Sequence, residues 1–161
     1  MGYKKDILSN RNGDIFIFIL ILVFFILTVS AIIIEYMRIE SLYQQVEYSL
    51  QRGVGESVEY ALLDEYRRDG YARMDSELAR EKLYEYLYES IGLDSELNKY
   101  AGDQWVYHLE IEGIDATDDP PQLTLRGKLK TRSVFNFLAG EIRLPFSVSS
   151  VNIRIEEGGS P

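Results

Sequence analysis

The sequence has no cysteine and only one histidine, His108. Without cysteine the chain forms no disulfide and carries no thiolate nucleophile, so cysteine usage does not indicate a redox compartment. A zinc site is excluded in practice, because the usual ligands of zinc are Cys and His. No glycine-rich loop joins a strand pattern to a helix pattern, so a phosphate-binding loop is not indicated.

Charge is absent from the stretch Ile15 to Ile34 near the N-terminus. About 20 apolar residues in a helix rise ~30 Å, which matches the hydrocarbon core of a bilayer. We therefore predict a transmembrane helix over residues 15–34. Two alternatives remain open: a buried helix of a soluble core, and a cleaved secretory signal with small residues at Val29–Ala31 as its cleavage site.

The chain is poor in basic residues, with 17 Lys and Arg against 26 Asp and Glu, and its net charge is −9. Nucleic-acid binding needs clustered Lys and Arg, so we expect no nucleic-acid partner. The short arm of residues 1–14 contains Lys4, Lys5 and Arg11. The positive-inside rule therefore predicts a cytoplasmic arm and an extracytoplasmic C-terminal domain.

No helix breaker follows the apolar stretch, and apolar residues recur every four positions beyond it. This spacing predicts an amphipathic stalk helix over residues 35–68, continuous with the membrane helix from about Asp14 to Tyr66. Gly53 and Gly55 interrupt the stripe, either as a tolerated weak spot or kink, or because another backbone approaches closely. The candidate helix-packing stripe is Leu42, Val46, Leu50, Gly53, Val54 and Val58.

Residues 69–156 are predicted to form an α+β domain, and residues 157–161 a disordered tail. A second helix opens at Asp75 or Ser76, which are good capping residues, and stops at Gly92. A further helical turn is predicted over Ser95 to Tyr100. From Trp105 the apolar period falls to two, which predicts a small antiparallel sheet of three to four strands.

The strand patterns make two finer predictions. The outer face of the first strand is acidic at Glu110 and Glu112, whereas that of the second is basic, so opposite charges should pair across antiparallel neighbours. In the last region the apolar parity shifts across Ser149 and Ser150. A bulge there would continue one strand, and a tight turn would make two.

Few residues suggest chemistry. His108 is the one possible base for a serine triad, but it lies on the polar face of a strand, so we predict neither an enzyme nor a cofactor. Asp115, Asp118 and Asp119 share a loop, which leaves calcium binding open, although Asp is also common in turns. The tyrosine-rich run Tyr84, Tyr86 and Tyr88 is either a candidate contact surface or a cover for the core.

The order of these elements resembles pilins, pseudopilins and TadE-like minor pilins. The resemblance rests on Lys4-Lys5-Asp6 through Asn12-Gly13, followed by DIFIFILILVFFILTVSAIIIEYMRI. It implies cleavage by a prepilin peptidase after Gly13, which would make Asp14 the first mature residue. The chain departs from the family at the fifth mature position, where Phe18 replaces the usual Glu used in subunit packing.

Two functional hypotheses follow. The first is a single-pass, minor-pilin-like structural component of a pilus or secretion assembly, held in the bilayer and packed against partner membrane proteins or further copies of itself. The second is a bitopic membrane protein whose extracytoplasmic domain binds a protein or the cell wall. The first predicts contacts along the helix-packing stripe, and the second predicts contacts at the tyrosines and strand edges.

Overall fold

The computed structural model describes residues 11–62, 73–135 and 140–151. The helices are α1 (Arg11–Ala61) and α2 (Ser76–Glu89), and the strands are β1 (Asn98–Ala101), β2 (Gln104–Thr117), β3 (Gln122–Arg132) and β4 (Glu141–Val151). The strands form one antiparallel sheet in the order β1-β2-β3-β4. The predicted α+β class, with a long N-terminal helix, a second helix and a small antiparallel sheet, is confirmed.

The chain divides into two compact units, Met1–Glu40 and Ser41–Pro161. In the first unit, the large apolar side chains from Ile15 to Ile34 are all exposed. Thr28 satisfies its hydroxyl by donating to the Phe24 carbonyl oxygen, at 2.8 Å. Within the described residues, α1 is the one helix long and apolar enough to cross a membrane. A signal sequence near the N-terminus would also meet this criterion of length and composition.

In the second unit, α1 from Ser41 onward and α2 bury their apolar faces together with one face of the sheet. β3 contributes most regularly, because every second residue from Leu123 to Thr131 is buried. Asp75 caps the N-terminus of α2, because its carboxylate accepts hydrogen bonds from the backbone amides of Glu77 and Leu78. The fully enclosed part of the core includes Leu50, Val54, Val58, Leu83, Leu87, Leu109, Leu123, Leu125 and Leu129.

The outer edge of β4 is partly covered by side chains of α1. Tyr43 donates its hydroxyl to the Pro145 carbonyl oxygen at 3.1 Å, and the Gln51 amide nitrogen donates to the Ser149 carbonyl oxygen at 2.8 Å. Pro145 has no N–H to present at this edge, which is where a strand tolerates proline. These features protect an 11-residue edge strand from pairing with another chain.

Two local predictions are wrong. Residues Ser95 to Tyr100 do not form a helical turn, because Asn98 onward belongs to β1 and pairs antiparallel with β2. No bulge or turn occurs at Ser149 and Ser150, since β4 stays in continuous register with β3 from Glu141 to Val151. A bulge lies instead in β2, between Ile111 and Gly113, where the register with β3 shifts. A second shift of register lies in β1 between Lys99 and Tyr100, where β1 pairs with β2.

Several predictions fall on residues outside the described ranges. They concern the part of the basic arm before Arg11, residues 63–68 of the predicted stalk helix, and the tail 157–161. The predicted continuation of the last strand beyond Val151 also lies there. The connection after β3 is described only at its ends, where the Ser133 amide donates to the Gly140 carbonyl oxygen at 3.2 Å.

Candidate functional site

The predicted helix-packing stripe lies inside the second unit and does not face a partner. Val46, Leu50, Val54 and Val58 are each at most 4% exposed, and Leu42 packs beside them. The stripe is apolar because it covers the chain's own sheet, which corrects the expectation that partner helices contact it. Truncating Leu50 to Ala would lower the free energy of unfolding by about 2–5 kcal/mol. The variant would therefore test the stability of the fold and not contact with a partner.

Gly53 of α1 lies beside the Tyr86 ring of α2. A Cβ atom built on Gly53 would lie 2.5 Å from Cδ1 and 2.7 Å from Cε1 of Tyr86. The Tyr86 ring therefore occupies the space where a side chain at position 53 would otherwise stand. Its burial raises the pKa of the Tyr86 hydroxyl. The close neighbour of Gly53 is an aromatic ring of the same chain and not the second backbone that the sequence analysis considers.

The three candidate contact tyrosines do not share one surface. Tyr86 is half-buried at the α1–α2 contact, whereas Tyr84 and Tyr88 are 37% and 41% exposed. The rings of Tyr84 and Tyr88 stack on each other with centroids 6.2 Å apart. One turn of helix thus presents a paired aromatic surface, while the tyrosine between them serves packing.

A cleft of about 230 Å³ opens between α1 and α2 beside Tyr86. Lys82 spans it, with its ammonium 4.7 Å from the centre of the Tyr60 ring and 2.5 Å from a Glu85 oxygen. Glu56, on the α1 side, pairs with Arg52 at 2.7 Å. These contacts satisfy the principal charges of the cleft within the chain, so its geometry alone assigns no ligand to it.

The open face of the sheet carries the predicted cross-strand charge pairs. Lys130 lies 2.9 Å from Glu110, and Lys128 pairs with Glu112. Lys130 donates a hydrogen bond that lowers the pKa of Glu110. These pairs are exposed to solvent and screened by salt, so their principal consequence is a polar, self-satisfied surface. The prediction of opposite charges on neighbouring strands is confirmed.

His108 lies on that face, between Asn98 of β1 and Lys130 of β3 in the strand register. It is therefore placed on a flat polar surface, as the strand pattern predicts. The three aspartates do not share a loop, because Asp115 lies in β2, where it pairs with Arg126. In the turn that follows, Asp118 accepts from the Ser76 amide. In the described parts of the chain no group of three metal-ligating side chains comes together, so calcium binding at Asp115, Asp118 and Asp119 finds no support.

Gly13 and Asp14, the candidate processing site, lie in the first turn of α1. At the other end of the apolar stretch, Glu35 is 7% exposed and accepts from two nitrogens of Arg38, at 2.9 and 3.0 Å. Such a fork-shaped pair lowers the cost of burying the carboxylate. It places the first charges that follow the apolar stretch directly after Ile34.

The cross-strand pair Lys99 and Tyr107 was missed by the sequence analysis. Lys99 falls in the segment predicted as helical, so its alignment with a strand residue could not be anticipated. Tyr107 alternates correctly with Leu109 and is 6% exposed. The alternation of apolar and polar residues in β2 predicts that Tyr107 faces the core. The partner strand β1 has only four residues, which are too few to show such an alternation.

In comparisons with known protein families, characterised proteins and solved structures, no match to this chain was found.

Proposed function

We propose that this protein is a single-pass, minor-pilin-like structural component of a pilus or secretion assembly. The apolar part of α1 anchors it in the membrane, its N-terminus is cytoplasmic, and the unit Ser41–Pro161 is extracytoplasmic. Its partners are other membrane proteins of the assembly, including further copies of itself. Cleavage after Gly13 would remove the basic arm and leave Asp14 as the first residue.

One observation carries the proposal: the apolar residues of α1 form an exposed run in its N-terminal part and a buried stripe further along the helix. From Ile15 to Ile34 the large apolar side chains are all exposed, whereas from Val46 to Val58 the apolar stripe is buried by the sheet. Partner contacts therefore fall to the apolar stretch itself. In a bilayer such contacts arise from close packing of helices, because lipid tails are as apolar as the side chains.

Cysteine cross-linking tests this proposal without background, since the chain has no cysteine of its own. Single cysteines would be placed at each position from Leu20 to Leu27, and membranes would be oxidised before electrophoresis. A packed helix should give cross-linked species at every third or fourth position, including ones that contain another membrane protein. Uniform cross-linking, or none at any position, would show that the helix is only an anchor.

The alternative function, a membrane-anchored binding module, is favoured by the exposed stacked pair Tyr84 and Tyr88. Tyrosines of this kind often dominate binding at protein interfaces. Replacing both by Ala should abolish partner recovery under this alternative and leave helix cross-linking intact. Under the assembly proposal the same double variant cross-links as the parent and keeps its partners.

A further inference from the structure

A second cavity, of about 340 Å³, lies in the second unit between α1, the end of α2 and the β1–β2 pair. Its volume falls within the range of roughly 300–1,000 Å³ that is usual for small-molecule sites. The apolar walls include Leu42 and Val46 of α1, Ile91 after α2, and Val106 of β2. An apolar body therefore fits the interior of this cavity.

The polar lining of the cavity includes the cross-strand partners Lys99 and Tyr107, together with Gln45, Ser49, Tyr86 and Ser90. The Tyr107 side chain lines the cavity and is 6% exposed. Burial raises the pKa of Tyr107 to about 12, so the hydroxyl stays protonated and can donate.

Charge complementarity indicates the sign of the ligand. Lys99 is the only charged residue among those lining the cavity, although the chain carries more acidic than basic residues. Its ammonium donates to the Ile91 carbonyl oxygen, which uses one of three N–H groups. Two donors of Lys99 and the Tyr107 hydroxyl are left for a single anionic group.

We propose that this cavity binds a single-chain anionic amphiphile, an apolar chain that ends in a carboxylate or a phosphate. The chain lies between Leu42, Val46 and Val106, and the anionic group accepts from Lys99 and Tyr107. A bilayer would supply such a molecule close by. The proposal is independent of pilus assembly.

The test uses the full chain in nanodiscs of phosphatidylcholine, with dodecanoate, dodecyl phosphate, dodecanol and inorganic phosphate as separate probes. Amide chemical shifts of Ile91, Ala101 and Val106 report binding at the cavity and are insensitive to probe that dissolves in the bilayer. We expect saturable shifts with dodecanoate or dodecyl phosphate, and whichever binds more tightly identifies the anionic group. Equal shifts with inorganic phosphate alone would reveal a simple anion site and overturn the proposal.

Variants distinguish the site from general effects. Lys99→Met should weaken dodecanoate binding about tenfold or more, because a hydrogen bond to a charged group is lost, and should change dodecanol binding little. Lys99→Arg should retain binding. Tyr107→Phe removes one hydroxyl and should weaken binding severalfold. Lys82→Met and Tyr84→Phe are matched controls outside the cavity, and equal effects from these variants, or no saturable shift in the parent, would overturn the proposal.

Discussion

The turn before β1 depends on the carboxylate of Asp94. One oxygen accepts from the backbone amides of Glu96 and Asn98, at 2.9 and 2.8 Å, and the other accepts from the Asn98 side chain at 3.2 Å. Leu97 completes the turn with a φ of 61°, a conformation that non-glycine residues seldom adopt. The hydrogen bonds to Asp94 therefore hold a backbone geometry that the sequence does not favour by itself.

These hydrogen bonds, first that of the Asn98 amide, lower the pKa of Asp94 below its ordinary value of 3.8. A carboxyl group with a lowered pKa in the folded state stabilises the fold above its unfolded pKa. That contribution is lost as the pH falls through the lower, folded value. We expect Asp94→Asn to flatten the acid side of the stability–pH curve, measured by thermal unfolding from pH 2 to 6.

Asp103→Asn, in the turn between β1 and β2, is the control for removal of a surface carboxylate near the same strand. It should leave the shape of the curve nearly unchanged. A carbon-detected NMR titration of Asp94 gives an independent measurement. A pKa at or above 3.8 would contradict the role assigned to its hydrogen bonds.

Packing of α2 on α1 depends on the missing side chain at Gly53. Glycine to alanine in a helix interior ordinarily stabilises by about 1 kcal/mol. At Gly53 the new Cβ would overlap the Tyr86 ring, so we expect Gly53→Ala to destabilise the chain by roughly 1–3 kcal/mol. Thermal or denaturant unfolding followed by circular dichroism measures the change.

Gly55 provides a matched control two residues along the same helix. A Cβ at Gly55 would lie 3.9 Å from the Ser150 hydroxyl, an ordinary contact, so Gly55→Ala should stabilise by about 0.5–1 kcal/mol. In a Tyr86→Ala background, Gly53→Ala should become stabilising as well. If both glycine variants behaved alike in the parent chain, the α1–α2 contact at Tyr86 would be wrong.

The elements that the sequence predicts well are those with a long, regular apolar period. The stripe of α1 and the alternation in β2 and β3 extend over several turns or pairs, so each residue reinforces the assignment of its neighbours. β1 has only four residues and follows a turn held by Asp94, which leaves no period to detect. The bulge in β2 depends on pairing with β3, and the apolar parity at Ser149 and Ser150 does not reveal it.

At the scale of the whole molecule, periodicity shows that a helix has an apolar face but not what covers that face. The stripe from Val46 to Val58 suits a partner helix as well as it suits the chain's own sheet. Only the fold decides between them, because the covering residues, such as Leu123 and Leu125, lie far away in sequence. Under the proposed function the apolar stretch is the surface that contacts partners, so its orientation in the membrane is the next property to establish.

Topology can be measured directly because the chain has no cysteine. Tyr100→Cys places a thiol on the second unit at a position that is 46% exposed, and Ser9→Cys places one in the basic arm. In spheroplasts a membrane-impermeant maleimide should label Tyr100→Cys at once and Ser9→Cys only after detergent. The reverse pattern would overturn the proposed orientation. Release of Tyr100→Cys as a soluble chain without residues 15–34 would instead identify a cleaved signal. An intact mass that begins at Asp14 would identify peptidase processing.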